Sequence, residues 1–298
     1  MPPNPFLKKL GFSETDRAVI IHTDDIGMCH ASLEAFKDLW EFGIITSAAV
    51  MVPCPWFPSV ALLCQANPEI DMGVHATLNA EWESYRWGPV STRDQASGLL
   101  DADGYFHQWH QAVYDNAEPQ AVEKEVNAQI ERALAAGIDV THVDSHMGTI
   151  MNPLFIQSYL QAAAGRLLPS MLPRLDAQGA EMMGMSPAEM QAYVPVMQQL
   201  EKMGLPMVDG ILMMPLDEPS EQKQLEIARH LLGNLPVGIT HFILHPSIDT
   251  KELRAIAPDW ESRVANYKTF MRDELKKFIE NEDIKPIGYH QIRNAMRG

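Results

Sequence analysis

The sequence predicts an α/β protein built as one TIM-like β/α barrel of seven or eight parallel strands. Three observations carry that expectation. Short apolar runs rich in β-branched residues alternate with amphipathic segments along nearly the whole chain, the pattern of strands feeding crossover helices into a parallel sheet. At 298 residues a closed barrel is favoured over an open doubly wound sheet, and nothing reads as a linker, so residues 1–298 are expected to form a single domain. No glycine-rich phosphate loop is present, neither GxGxxG nor GxxxxGK followed by Ser or Thr.

Residues 18–23 (AVIIHT) are apolar and β-branched and read as the first buried strand. In residues 30–42, Leu33, Phe36, Leu39 and Trp40 share a helical stripe, and Gly43 stops that helix. Residues 44–52 (IITSAAVMV) form a second strand, ended by Pro53 and Pro55. A short helix at 57–65 leads to a third strand at 71–78 (DMGVHATL). From about 79 to 118 the rhythm breaks. Trp82, Tyr85, Trp87, Tyr105, Phe106 and Trp109 lie among glycine, proline and polar residues. Such an aromatic insertion is either a lid or binding loop, or an excursion packed on the surface.

Residues 119–136 are an amphipathic helix closed by Gly137, and 139–144 a strand. Residues 152–164 are a helix with Asn152 as cap and Pro153 after it. Residues 168–175 make a weak strand, because Pro169 and Pro173 interrupt it. Helices at 186–202, 220–232 and 259–280 alternate with strands at 208–214 and 238–244 (GITHFIL). A short strand at 284–289 ends the series.

Composition excludes some partners. The 23 basic and 39 acidic residues give a formal charge of −16, which repels nucleic acid and anionic lipid, although a site holding a divalent cation can still be locally positive. Cys29, Cys54 and Cys64 form no CxxC pair and are odd in number, so a disulfide framework is not expected and a reducing, cytoplasmic compartment is. The start, MPPNPFLKKLGF, has no long apolar stretch, and no run is long enough to span a membrane. A homodimer is carried as an expectation that composition does not decide.

The polar residues that matter end strands. Asp24-Asp25 follows AVIIHT directly. Two adjacent carboxylates are costly unless a cation or a proton separates their charges; the plainer alternative is one capping the next helix and the other solvated. His75 in GVHATL, taken alone, is more often a hydrogen-bonded core histidine than a ligand. In THVDSHMG, His142, Asp144 and His146 alternate and point to one face of an extended chain. Histidine and carboxylate at that spacing suit a divalent ion. His245 closes a fourth strand in FILHPS, and His241, deeper on the same face, reads as structural. Four strands thus present such residues at one end, the end where β/α barrels carry their sites.

The blocks IIHTDDIG, GIITSAAVMV, MGVHATL, HVDSH and LHP, in that order, resemble the YdjC-like carbohydrate deacetylases, which include chitooligosaccharide deacetylases. The likeness runs from about residue 17 to 290, and TDDIG and HVDSH are its most specific parts. It implies a distorted, polysaccharide-deacetylase-like barrel. It also implies one divalent metal ion, magnesium or zinc, and hydrolysis of the N-acetyl group of an amino sugar or short N-acetylated oligosaccharide. Carried over by position, Asp24 is the general base, Asp25, His75 and His146 are metal ligands, and His245 is the general acid. Where many members continue with further histidines, this chain has Met147-Gly148-Thr149-Ile150, and Thr23 and Ile26 stand where Ala and Phe are common. Those departures leave the sugar open. On this reading Asp144 orients a ligand histidine, Arg174 holds a substrate hydroxyl or phosphate, and Trp87, with Trp82 and Tyr105, stacks on sugar rings. Two alternatives stay open. One is a metal-dependent phosphoesterase of the His/Asp barrel type, whose early H-x-H is missing here. The other is a non-catalytic sugar-binding relative.

Overall fold

The elements alternate along the chain as α1 (Pro5–Lys9), β1 (Arg17–Ile26), α2 (His30–Phe42), β2 (Ser47–Val50), α3 (Phe57–Ala66), β3 (Met72–Ala76), α4 (His110–Asn116), α5 (Pro119–Ala135), β4 (Val140–Ser145), α6 (Ile156–Ala164), α7 (Pro187–Lys202), β5 (Gly210–Met213), α8 (Glu221–Gly233), β6 (Gly238–Leu244), α9 (Lys251–Ile256), α10 (Trp260–Phe270), α11 (Asp273–Asn281), β7 (Lys285–Pro286) and α12 (Tyr289–Arg297). The structure, a computed structural model, describes residues 1–176, 180–181 and 185–298.

Among the described residues seven parallel strands make the sheet, six in the order β4-β3-β2-β1-β6-β5 and β7 off this path against β1. β1 is its axis. One edge pairs with β6 from Arg17 to Thr23; the other meets β7 at Ala18 and Val19 and β2 from His22 upward. The two ends of the path are closed by an irregular segment. Met171 N–H donates to Val143 O and Val143 N–H to Pro169 O; Arg174 N–H donates to Val208 O and Val208 N–H to Leu172 O, all at 2.7–2.9 Å. This is the segment expected as a strand at 168–175. Only isolated bridges form there, because Pro169 and Pro173 have no N–H to donate to a ladder. The barrel is therefore parallel and distorted at this seam.

Three other expectations shift. The helix expected at 259–280 is two, α10 and α11, with Asp273 and Glu274 opening the second at its positive end. The last strand shrinks to Lys285–Pro286 because Tyr289 already begins α12. The helix expected from Asn152 starts at Ile156; the Asn152 side chain instead accepts from Leu154 N in a turn.

Alternation along β1 sorts its neighbours. Val19 and Ile21 join the large hydrophobic cluster between strands and helices. Ala18 and Ile20 join a second cluster with Phe6, Leu7, Ile287 and Ile292 that fills the N-terminal end of the barrel. The even positions thus face inward, and His22 and Asp24 continue that line toward the other end. Residues 79–118 contain α4 and an antiparallel bridge at Leu100–Phe106. Ala80 N–H to His107 O ties the segment to itself, and Thr149 Oγ1 to Asn79 Oδ1 ties it to the turn after β4. Among the described residues no helix is long and apolar enough to cross a membrane.

Candidate metal centre

Strict alternation would turn Asp25 away from Asp24. A bulge prevents it. The pairing of β1 with β2 slips between Thr23 and Ile26, and Asp25 has φ 61°. Aspartate tolerates that left-handed conformation better than most residues, and the extra residue re-aims its side chain. Both carboxylates therefore enter the barrel. Gly27 (φ 82°) then turns the chain toward α2 where a Cβ would stand 3.0 Å from Val60 Cγ2 and 3.3 Å from Phe57 N, so the turn has room only for glycine.

β3 and β4 supply the other groups. His75 and Asp144 are register partners. His146 follows β4 at once, and the left-handed pair Met147 (φ 51°) and Gly148 (φ 68°) fixes its direction. Asp25 Oδ1 lies 3.2 Å from His146 Nδ1 and 3.5 Å from His75 Nε2. All three residues are buried, and one ligand atom of each falls within 4.8 Å of the others. Ligand atoms about 2.0–2.1 Å from a tetrahedral ion stand roughly 3.3 Å apart, close to both measured separations.

The free lone pairs also match. His75 Nδ1 is 2.8 Å from Asp144 Oδ1, and His146 Nε2 is 2.9 Å from Glu81 Oε2. Each carboxylate takes the far ring proton and leaves the near nitrogen as a donor to the centre. Among the described residues Asp25 Oδ1 has no hydrogen-bond partner, while Asp25 Oδ2 accepts from Arg263 Nη1 at 2.7 Å. Arg263 is itself held by Asp259 at 2.9 Å. One carboxylate and two imidazoles, each with an outer partner, are a donor set that fits a divalent ion.

Beside this group, Asp24 Oδ2 is 3.8 Å from His75 Nε2 and 3.7 Å from His245 Nε2. His245 is placed by its backbone N–H, which donates to Asn266 Oδ1 at 3.1 Å. Asp24 Oδ1 faces the other way, 3.1 Å from His22 Nε2. Deeper still, His142 stacks on Tyr289 at 3.8 Å, and the Tyr289 hydroxyl meets His241 Nδ1 at 3.1 Å. Gly73 has no side chain because the His142 ring fills that space; a Cβ there would stand 2.4 Å from His142 Cε1. His241 thus lies deep in the barrel, with Nδ1 on the Tyr289 hydroxyl.

Burial would push every carboxylate here toward its neutral form. For Asp25 the Arg263 guanidinium and the two histidines overcome it, and its pKa falls well below the usual range. Asp24 is likewise lowered against burial, by the charge of His75 and by contact with His22. Burial lowers His245. His146 is raised to about 9, because Glu81 and Asp25 outweigh its burial.

A profile of the YdjC-like protein family matches residues 18–281. The chain belongs to that family. Carbohydrate deacetylases are similar to this YdjC-like chain over most of its length. The protein of that name from Thermus thermophilus is 29% identical over 294 residues, 97% of this chain and 98% of its own. The one from Thermoanaerobacter pseudethanolicus is 23% identical over 275 residues, 92% and 99% of the two chains. Among solved structures, a protein of Enterococcus faecalis V583 proposed to cleave cellobiose phosphate shares the fold. Its TM-score is 0.73 at 20% identity, over 93% of this chain and 99% of that one.

Two of the expected substrate contacts are corrected by the YdjC-like structure. Arg174 is buried between Glu201 and Asp209, near the starts of β5 and β6, with Nη2 on Pro2 O at 3.0 Å. All three of its guanidinium nitrogens are engaged by protein groups, and it is not among the groups around Asp25. Trp87 is buried, donates its indole N–H to Asn79 O at 2.9 Å, and meets His146 edge to face with ring centroids 6.2 Å apart. It is a wall of the centre with no open face for stacking. Tyr105 is exposed and lies over Arg86. Sequence reasoning missed Glu81, Arg263 and His22. Only His22 left a signal, since it shares strand parity with Asp24.

Proposed function

We propose that this protein hydrolyses the N-acetyl group of an amino sugar or short N-acetylated oligosaccharide, releasing acetate. One divalent ion, magnesium or zinc, would be held by Asp25, His75 and His146. The observation that carries the reading is convergence: the spare donor atoms of those three residues meet beside Asp24 Oδ2 and His245 Nε2. The names of the relatives, which match nearly end to end, support the same chemistry.

When bound, the ion supplies a Lewis acid that acidifies water and polarises an acetyl carbonyl. The protein groups do the rest. Asp24, kept ionised by its neighbours, accepts the proton of the attacking water at Oδ2. His245 passes a proton to the departing amine; burial lowers its pKa, which makes the imidazolium a stronger acid and leaves less of it charged at neutral pH. Asp144 and Glu81 fix the tautomers of His75 and His146, and Arg263 keeps Asp25 charged. A cleft of about 500 Å³, lined by Glu81, Trp82, Glu83, Arg254 and Trp260, adjoins the centre through Glu81. The sugar would enter there, with the half-buried Trp260 as its aromatic surface and the buried Trp82 as the wall beneath. The three buried free thiols support a cytoplasmic setting. The charge of −16 supports a small neutral partner over nucleic acid or an anionic membrane.

The test is acetate release from a panel of N-acetylated sugars with magnesium or zinc added, using Asp24→Asn as control. Metal-stimulated acetate release abolished in the variant is the expected result. Phosphate release from sugar phosphates without acetate would point to the phosphoesterase alternative, and sugar binding without turnover to the non-catalytic one.

A further inference from the structure

His22 has no role in that scheme, yet it touches both halves of it. Its ring is fully buried on the inner side of Asp24. Nε2 stands 3.1 Å from Asp24 Oδ1 and 3.0 Å from Asp144 Oδ2, and those two oxygens make no straight hydrogen bond with any side chain. Nε2 therefore sits between two carboxylates, within ion-pair distance of both and without a straight bond to either. The other oxygens of the two acids are turned elsewhere: Asp144 Oδ1 to His75 Nδ1, and Asp24 Oδ2 toward His75 and His245.

We propose that His22 is a positioning residue for the deacetylation, an inference that rests on Asp24 being its base. Through Nε2 it holds Oδ1 of Asp24, so that Oδ2 is the oxygen presented to the reacting groups. The same contact ties Asp24 to Asp144, the carboxylate that orients His75.

A competing use of the same atoms is a second cation site, since His22, Asp24, Asp144 and His241 also have donor atoms within 4.8 Å, and His241 Nε2 is buried without a partner. Charge decides against it. The centre gathers four carboxylates, on Asp24, Asp25, Asp144 and Glu81, with Arg263 as its guanidinium. Asp259, which also touches Arg263, is partly solvated. Arg263 and one divalent ion leave one negative charge unmatched. A proton on His22 matches it, whereas a second divalent ion leaves net positive charge buried, which is costly. Burial opposes that proton, but contact with Asp144 and Asp24 outweighs burial and raises His22 to about 9. Its remaining ring neighbours, His142, His241 and Tyr289, are aromatic groups at 4.6–6.3 Å. The His142 and His241 pKa values are lowered, and that of Tyr289 is raised, by burial.

The test compares wild type, His22→Leu and His22→Gln for kcat and KM of acetate release, metal content and Tm. In His22→Leu, kcat should fall about 100-fold, as expected for a misplaced reacting group, with KM and one metal ion per chain retained. His22→Gln, which keeps an N–H near the depth of Nε2, should recover at least about tenfold of that loss, within the same range for misplacement. If His22→Leu does not fold, His22→Gln carries the test, with kcat between the two limits and KM and metal content unchanged. Wild-type kcat in His22→Leu, parallel loss of kcat, KM and metal, or two metal ions per wild-type chain would each overturn the inference. An active Asp24→Asn enzyme would overturn the functional reading instead, so the two failures are distinct.

Discussion

At the N-terminal end of the barrel, Arg174 is buried between Glu201 and Asp209, and Asp209 Oδ2 also accepts from Asn4 Nδ2 at 2.6 Å and Ile239 N–H at 2.7 Å. Asp71 accepts from Thr141, Ser47 and His290 N–H nearby. None of Asn4, Asp71, Arg174 or Asp209 has a buried side-chain nitrogen or oxygen without a partner. At the opposite end Asp24, Asp25 and Asp144 crowd together, and Asp24 Oδ1, Asp25 Oδ1, Asp144 Oδ2 and His245 Nδ1 are all buried without one. Apart from Arg293 Nε, the described residues thus partner their buried charged groups at one end of the barrel and leave carboxylate oxygens unmatched at the other. Unmatched buried charge lowers stability, and it persists where the group has a functional task.

The largest effect that can break this contrast is Asp24→Asn. Activity should fall by about 10²–10⁴-fold, the worth of a positioned base, while Tm falls only modestly, because the lowered pKa of Asp24 means that its charge is stabilised by its histidine neighbours against burial and the nearby Asp144. A loss of Tm with activity retained, read by acetate assay and calorimetry, would place Asp24 with the structural acids. Arg174→Ala is the mirror experiment. It strips a buried cation from two carboxylates and should destabilise by about 3 kcal/mol, with kcat unchanged in the folded fraction. Denaturant titration and initial rates decide it; a selective loss of kcat would restore Arg174 as a substrate contact.

Glu81→Gln tests the outer layer at smaller scale. Glu81 reaches His146 from the 79–118 insertion. The amide keeps the shape but loses the charge that raises His146, so metal affinity should drop about tenfold, the lower end for such partners. Metal titration by calorimetry gives the answer, and unchanged affinity would make Glu81 part of the cleft wall alone.

The contrast also explains what could be read from the chain. His75, Asp144, His146 and His245 were legible because apolar strands fix where their ends lie, and the ends carry the chemistry. Asp25 was legible by type and not by direction, since the bulge that turns it inward has no sequence mark beyond Asp tolerating φ 61°. Arg263 and Glu81 were not legible. One comes from a helix 238 residues beyond Asp25 and the other from an irregular insertion, and neither has a period that predicts its direction. Arg174 was misplaced because a strand weakened by two prolines gives no register from which to tell one barrel end from the other.

The smallest effect probes whether burial, and not pairing alone, separates the two ends. Arg293 grips Asp139 with two bonds of 2.6 and 2.8 Å at the start of β4, but the Asp139 side chain is 59% exposed. The hydrogen bond from Arg293 sets the Asp139 pKa below its ordinary 3.8. A lowered folded-state pKa means the pair stabilises above the unfolded value and that this stability is lost as pH falls through the folded one. Water screens the pair, so its worth is under about 1 kcal/mol. Asp139→Asn should therefore lower urea stability slightly at pH 7 and not at all near pH 2. An equal loss at both values would mean that the contact acts through packing. A loss as large as that of Arg174→Ala would mean that pairing protects charge at this end whether or not water reaches it.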